Sequence, residues 1–140
     1  MACELCAAPG GHLVWSDAQW RVVRVDDADF PAFYRVIAQR HVAEFSQLPA
    51  VERQRCTDLV CAVEHALITQ LRPTKVNLAS LGNMVAHLHW HVLARFDWDS
   101  HFPQPIWGVR QRDVQPSAAL RLARGLPELD AQVVGAIQKA

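Results

Sequence analysis

Three histidines, His87, His89 and His91, alternate with apolar Leu88, Trp90 and Val92 in the run HLHWHVLARF over 87–96. A period of two is the strand pattern, so the three imidazoles are predicted to leave one face of one β-strand. Imidazole is the side chain whose ordinary pKa lets it act near neutrality as base, nucleophile or metal ligand. Successive same-face residues lie roughly 6.5–7 Å apart, so two neighbours can converge on one centre. The outer pair, roughly 13 Å apart, cannot share an ion, and the triad must serve two sites or one elongated site. His89 is the candidate nucleophile, because a neutral imidazole whose second nitrogen is held by a hydrogen bond can attack phosphorus. His91, one step along, is placed to hold the scissile oxygen or assist the leaving group. Upstream, Gly82-Asn83 offers backbone N–H groups and an amide to phosphate oxygens. Asn77 is read either as a ligand contact or as an exposed polar residue.

Cys3 and Cys6 form a C-x-x-C near the start of the chain. Zinc prefers four nitrogen or sulfur ligands in a tetrahedron. The chain has no second C-x-x-C, which excludes a zinc ribbon, but two histidines would complete a Cys2His2 set. His87 and His41 are the candidates. Such a site would be closed and structural and would pin the amino terminus to the sheet. On its own the motif leaves metal binding open, and a metallohydrolase with His89 and His91 on a catalytic metal is a competing reading. Cys56 and Cys61 lie five apart in a helical stretch, about 140° around the axis, and read as small buried residues. His65 reads as structural or solvated, His101 as a loop residue able to reach the triad, and Trp90 and Trp107 as packing.

The elements that must position these groups follow from periodicity. HLVWS (12–16), QWRVVRV (19–25) and FYRVIA (33–38) read as strands, with a turn at Ser16-Asp17-Ala18 and a loop over Asp26, Asp27, Asp29 and Pro31. Cys56, Leu59, Val60, Val63, Leu67 and Leu71 recur at helical spacing and give one apolar stripe, bounded by Pro49 and Pro73. KVNLASL (75–81) and the triad run are the remaining strands. Residues 97–107 read as an ordered loop, and 117–124 and 127–139 as short amphipathic helices. Strands, a long helix, then strands argue for an α+β domain with a mostly antiparallel sheet.

Fourteen basic and fourteen acidic residues cancel among 140, which gives no support for broad binding to nucleic acid or anionic membrane. No apolar run reaches the length needed to cross a bilayer. The start, MACELCAAPG, lacks the basic region and long apolar run of a secretory signal, so a soluble, cytoplasmic protein is expected.

HLHWHVL fits the His-x-His-x-His-x-x signature, and with NLASLGNMVA before it and HFPQPIW after it the chain resembles the histidine triad (HIT) family over roughly residues 3–108. The resemblance implies a HIT-like α+β fold: a five-stranded antiparallel sheet, one long helix and, here, short C-terminal helices. It implies a HIT domain over 1–108 and a homodimer; the tail over 109–140 lies outside the resemblance and is read from its own pattern as helical, packed on the domain or on a partner subunit. It implies hydrolysis at the α-phosphate of nucleoside phosphoramidates or dinucleoside polyphosphates, with His89 forming the nucleotidyl intermediate and His91 on phosphate or leaving group. Together with His91, the candidate substrate contacts read from the residues are Asn77 and Asn83. Bacterial relatives with an amino-terminal C-x-x-C imply structural zinc on Cys3, Cys6, His41 and His87. Departures stand at Phe33, where most members have histidine, and at Asn83 and Met84, where most have Gln then Ser or Thr. Met84 cannot donate a hydroxyl hydrogen bond to phosphate, which keeps a nucleotide-binding regulatory module as the alternative. Asp26 is near the position of an acidic ribose contact, with the loop length off by one. His-Trp-His in place of His-Pro-His disfavours a nucleotidyl transferase.

Overall fold

A computed structural model describes residues 2–140. Five strands form one antiparallel sheet in the order β1-β2-β3-β5-β4. They are β1 His12–Ser16, β2 Trp20–Arg24, β3 Phe33–Ala38, β4 Lys75–Ala79 and β5 His89–Arg95. The α+β reading and the antiparallel sheet therefore hold. Asp17 makes the β1–β2 turn: its Oδ1 accepts from the backbone N–H of Gln19 and Trp20 at 2.8 and 2.7 Å, the Asx geometry that suits aspartate to turns.

One face of the sheet carries helix α2, Ala50–Leu71. Its stripe of Cys56, Leu59, Val63 and Leu67 is fully buried, and so are Val22, Tyr34, Val36 and Val92 of the strands it covers. Pro49 sits at the N-cap, where its missing N–H costs nothing, and the helix ends on Arg72 in the left-handed region (φ 48°) before Pro73. Cys56 lies in this core, where burial pushes its thiol up to about 12. Cys61 differs from expectation. It is exposed on the opposite side of α2, because the 140° offset that separates it from Cys56 turns it out to solvent.

The tail also differs in part. Only one α-helix forms there, α3 over Leu126–Gln138, and the segment around Ala118–Arg121 is a single 3-10 turn. Helix α3 packs beside α2 and over β1, burying Leu129, Val133 and Ile137. Its Asp130 is locked to the sheet. Arg24 Nε donates to Oδ1 at 2.9 Å and the Tyr34 hydroxyl donates to the same oxygen at 2.6 Å. Burial, and the carboxylate beside it, push the Tyr34 phenol well up, so it stays a donor.

The opposite face of the sheet carries β2 Arg21 and Val23, β3 Phe33, Arg35 and Ile37, and β5 His89, His91, Leu93 and Arg95, as the cross-strand register requires. Two small clusters cover its flanks, Leu5 with Val23 and Ile37, and Phe30 with Phe33 and Leu93. Between them lie the histidines.

Replacing Asp130 with alanine removes the acceptor of two donors, the fully buried Tyr34 hydroxyl and the largely buried Arg24 guanidinium. It should cost about 3 kcal/mol in urea unfolding, since breaking such a pair strands the remaining charge. Tyr34→Phe, which deletes one bond and leaves the ion pair, should cost about 1 kcal/mol.

Candidate functional site

The four candidate metal ligands come from three segments. A single helical turn, α1 (Glu4–Ala7), presents Cys6 and the preceding Cys3. The segment after β3 presents His41, and the segment entering β5 presents His87. Gly10 makes this approach possible: it has φ 88°, and a Cβ there would lie 2.6 Å from a Leu5 methyl. Arg21 then straps the segment down, donating to the carbonyls of Leu5, Ala8 and Pro9 and to Gln39.

One ligand atom from each of Cys3, Cys6, His41 and His87 lies within 4.8 Å of the others. His87 Nδ1 is 3.4 Å from Cys3 Sγ and 3.5 Å from Cys6 Sγ, and His41 Nδ1 is 3.5 Å from Cys6 Sγ. Tetrahedral zinc, with bonds of about 2.0–2.3 Å, spaces its ligand atoms roughly 3.3–3.8 Å apart, so the donor set fits that ion. The tautomer fits as well. His87 Nε2 lies 2.6 Å from the Ala38 carbonyl oxygen. A carbonyl only accepts, so Nε2 carries the proton and the Nδ1 lone pair points at the sulfurs.

His89 is wired in the opposite sense. Its Nδ1–H donates to the His87 carbonyl at 2.6 Å, which leaves Nε2 unprotonated. Burial lowers its pKa, the bond to the carbonyl works against that, and the positive charge of Arg35 adds to the lowering. His89, Ser80, Gly82, His87 and Phe45 line a hollow of about 250 Å³. A larger one of about 660 Å³ lies between α2 and α3 and contains none of the triad.

His91 is packed edge-on against His89 (ring centres 4.9 Å apart), Phe33 (5.4 Å) and Trp107 (5.3 Å). Burial, then the neighbouring His89 and Arg35, push its pKa down to about 4. Its Nδ1 is buried without a hydrogen-bond partner. The ring is thus neutral at physiological pH.

The ladder differs from the sequence reading at its start. β5 begins at His89, not His87, because His87 precedes the pairing with Ile37 and its backbone N–H turns to Val85 instead. Asn77 faces the triad side, and its Oδ1 accepts from Arg95 at 2.9 Å. Asn83 and Met84 stand on an exposed loop, Met84 at 96% exposure. Asp26 is exposed, and His101 packs on Phe30 rather than on the triad. Trp90 packs on the α2 side as expected. Trp107 is not core packing: it is half exposed, over His91.

Two features were not anticipated from the residue pattern. Arg95, buried at 2% exposure, donates to Asp99 at 2.8 and 3.0 Å and to the Gln104 carbonyl at 2.7 Å. Burial raises the Asp99 carboxyl, and the bonds from Arg95 and from the Phe96 and His101 backbone more than reverse it. This fastens the 97–107 loop beside the histidines. The second is Arg35, opposite His91 in the β3–β5 register. A charge placed between Phe33 and Ile37 on a strand's inward face was its visible signal.

The HIT domain family model matches residues 10–98. No curated protein matches the chain. Among solved structures it is similar to a histidine triad protein from Bradyrhizobium japonicum, at 26% identity and TM-score 0.70, over 94% of this chain and 90% of that one. It is also similar to a histidine triad protein from Marinobacter aquaeolei, at 23% identity and TM-score 0.74, over 99% and 96%. A Zn-bound histidine triad family protein from Mycobacterium smegmatis shares the fold at 17% identity and TM-score 0.63, over 99% and 95%.

The depressed His91 pKa has a stability consequence. Between its ordinary 6.5 and about 4 the unfolded chain takes up a proton that the folded chain refuses. This contribution is complete above pH 6.5 and is lost as pH falls toward 4. In thermal melts from pH 7.5 to 4.5, His91→Gln should lose less stability with acid than wild type does; parallel curves would refute the assignment.

Proposed function

We propose, for a chain that belongs to the histidine triad family, that it is a nucleotide hydrolase acting at the α-phosphate of nucleoside phosphoramidates or dinucleoside polyphosphates. The observation that carries the reading is the His89 tautomer. With Nδ1–H held by the His87 carbonyl, Nε2 keeps its lone pair on a rigid strand, which is what nucleophilic attack on phosphorus requires. Attack forms the Nε2–P bond and breaks the bond from phosphorus to the leaving group, which departs with a proton taken from water. Water then adds to phosphorus, the N–P bond breaks, and the nucleoside monophosphate leaves. His91 beside it contacts the phosphoryl or leaving-group oxygen, and Asn77 and the Gly82-Asn83 turn contribute polar contacts.

The Cys3, Cys6, His41 and His87 set would hold zinc. That ion would supply cross-linking of the amino terminus to the sheet, with all four positions filled by protein and no open one for substrate. The reading carries with it a homodimer, which rests on the family resemblance, and a cytoplasmic location. Exposed Met84, which has no hydroxyl to offer, supports a second reading in which nucleotide is bound with little turnover.

One substrate panel separates these. Adenosine 5′-phosphoramidate and diadenosine polyphosphates are assayed with wild type and His89→Ala. The expected result is turnover by wild type and a loss of at least about a thousandfold in the variant, with its melting temperature retained. Tight nucleotide binding without turnover by wild type favours the binding module, and full activity of His89→Ala removes the mechanism.

Metal is tested separately. Purified wild type should carry about one zinc per chain, and Cys3→Ser/Cys6→Ser should carry none. Chelation should lower the melting temperature before it lowers the rate at 25 °C. Immediate loss of rate with an unchanged melt would instead point to a catalytic metal.

A further inference from the structure

Three arginines rise from the histidine face of the sheet, and they are not equivalent. Arg21 is saturated by three carbonyls and Gln39. Arg95 is saturated by Asp99, Asn77 and Gln104. Arg35 makes one hydrogen bond, from Nη1 to the Gly10 carbonyl at 3.2 Å. Its Nε is buried without a partner. Among the described residues no carboxylate forms an ion pair with it, and Glu4 acts on it only at a distance.

A half-buried guanidinium with an orphaned donor is costly unless something anionic meets it. Its surroundings say where. Arg35 pairs with His91 across the β3–β5 ladder, and its Cζ stands 5.8 Å from the centre of the Phe33 ring. An imidazole is not a permanent cation, so the triad rings bring no fixed positive charge to a phosphate. Met84 brings no hydroxyl. Of the three arginines on this face, Arg35 is the one with donors to spare, and its fork matches two phosphate oxygens.

We propose that Arg35 is a substrate-binding residue that holds a second phosphate, adjacent to the one attacked at His89, and so selects polyphosphate chains over single phosphoramidates. The inference rests on the hydrolase reading for the identity of the first phosphate. Its geometry follows from register. Ile37 lies opposite His89, and Arg35 lies one same-face step further, roughly 6.5–7 Å along the strand. The guanidinium therefore meets a group beyond the reacting phosphorus rather than the phosphorus itself.

Inorganic tripolyphosphate is the binding probe, titrated calorimetrically into wild type, Arg35→Met and Arg35→Gln. Affinity should fall about tenfold to a hundredfold in both variants, the worth of a charge-assisted contact. In turnover, kcat/KM for diadenosine tetraphosphate should fall at least about tenfold further than kcat/KM for adenosine 5′-phosphoramidate. Thermal melts check the fold, and the glutamine variant keeps a donor for the Gly10 carbonyl should the methionine variant fail to fold. Tripolyphosphate that binds the variants as tightly as wild type overturns the proposal. So does wild type that does not bind it, or an equal loss on both substrates. The binding readout needs no cleavage, so failure of the catalytic reading shows in His89→Ala and failure of this one in the Arg35 pair.

Discussion

Two backbone carbonyls decide what the neighbouring histidines can do. The Ala38 carbonyl takes the Nε2 proton of His87 and frees its Nδ1. The His87 carbonyl takes the Nδ1 proton of His89 and frees its Nε2. Two residues apart in sequence, the same side chain presents opposite nitrogens to opposite environments. One lone pair joins the Cys3, Cys6 and His41 donor set; the other belongs to a ring that lines a hollow at the strand end. Neither carbonyl is a side chain, so no substitution at its position deletes it. Only the strand geometry places it, which makes the β3–β5 pairing the constraint on which both sites rest.

That pairing is held from the far side. Val36 and Val92 on the two strands are fully buried under α2 with Leu59, Val63 and Leu67. The sheet thus divides labour by face. Hydrocarbon fills one side and fixes the strand register; rings and guanidinium groups occupy the other. Because side chains alternate, a slip of one residue would send His89 and His91 into the α2 core and Trp90 and Val92 out of it. The cost of burying unpaired imidazole in that core keeps the register unique.

Most of this was legible in the residues. The period of two in HLHWHVLA and the helical stripe from Cys56 to Leu71 are strong local signals, and both elements formed within a few residues of their expected limits. The C-x-x-C at Cys3 and Cys6 offered His41 and His87 as candidate partners, and the family resemblance implied the full set, since nothing local links residue 3 to residue 87. What escaped has a common physical character. His87 leaves the ladder because hydrogen bonding to Val85 ends the strand, a backbone event that alternation does not encode. Trp107 is exposed over His91, although a tryptophan in a proline-rich stretch looks like packing. Arg35 and the Arg95–Asp99 pair owe their meaning to which partners each guanidinium has found. Partner accounting is a property of the assembled face, and strand propensity carries no trace of it.

The donors at Cys3 and His87 are 84 residues apart in the chain. Between them lie β1, β2, β3, the whole of α2 and β4. A chain emerging from synthesis therefore carries the thiols of Cys3 and Cys6 apart from His87 until the intervening elements have been made and the strands around His41 and His87 have come together. Closure of that cluster on a metal would therefore wait on the β3–β5 pairing that positions it.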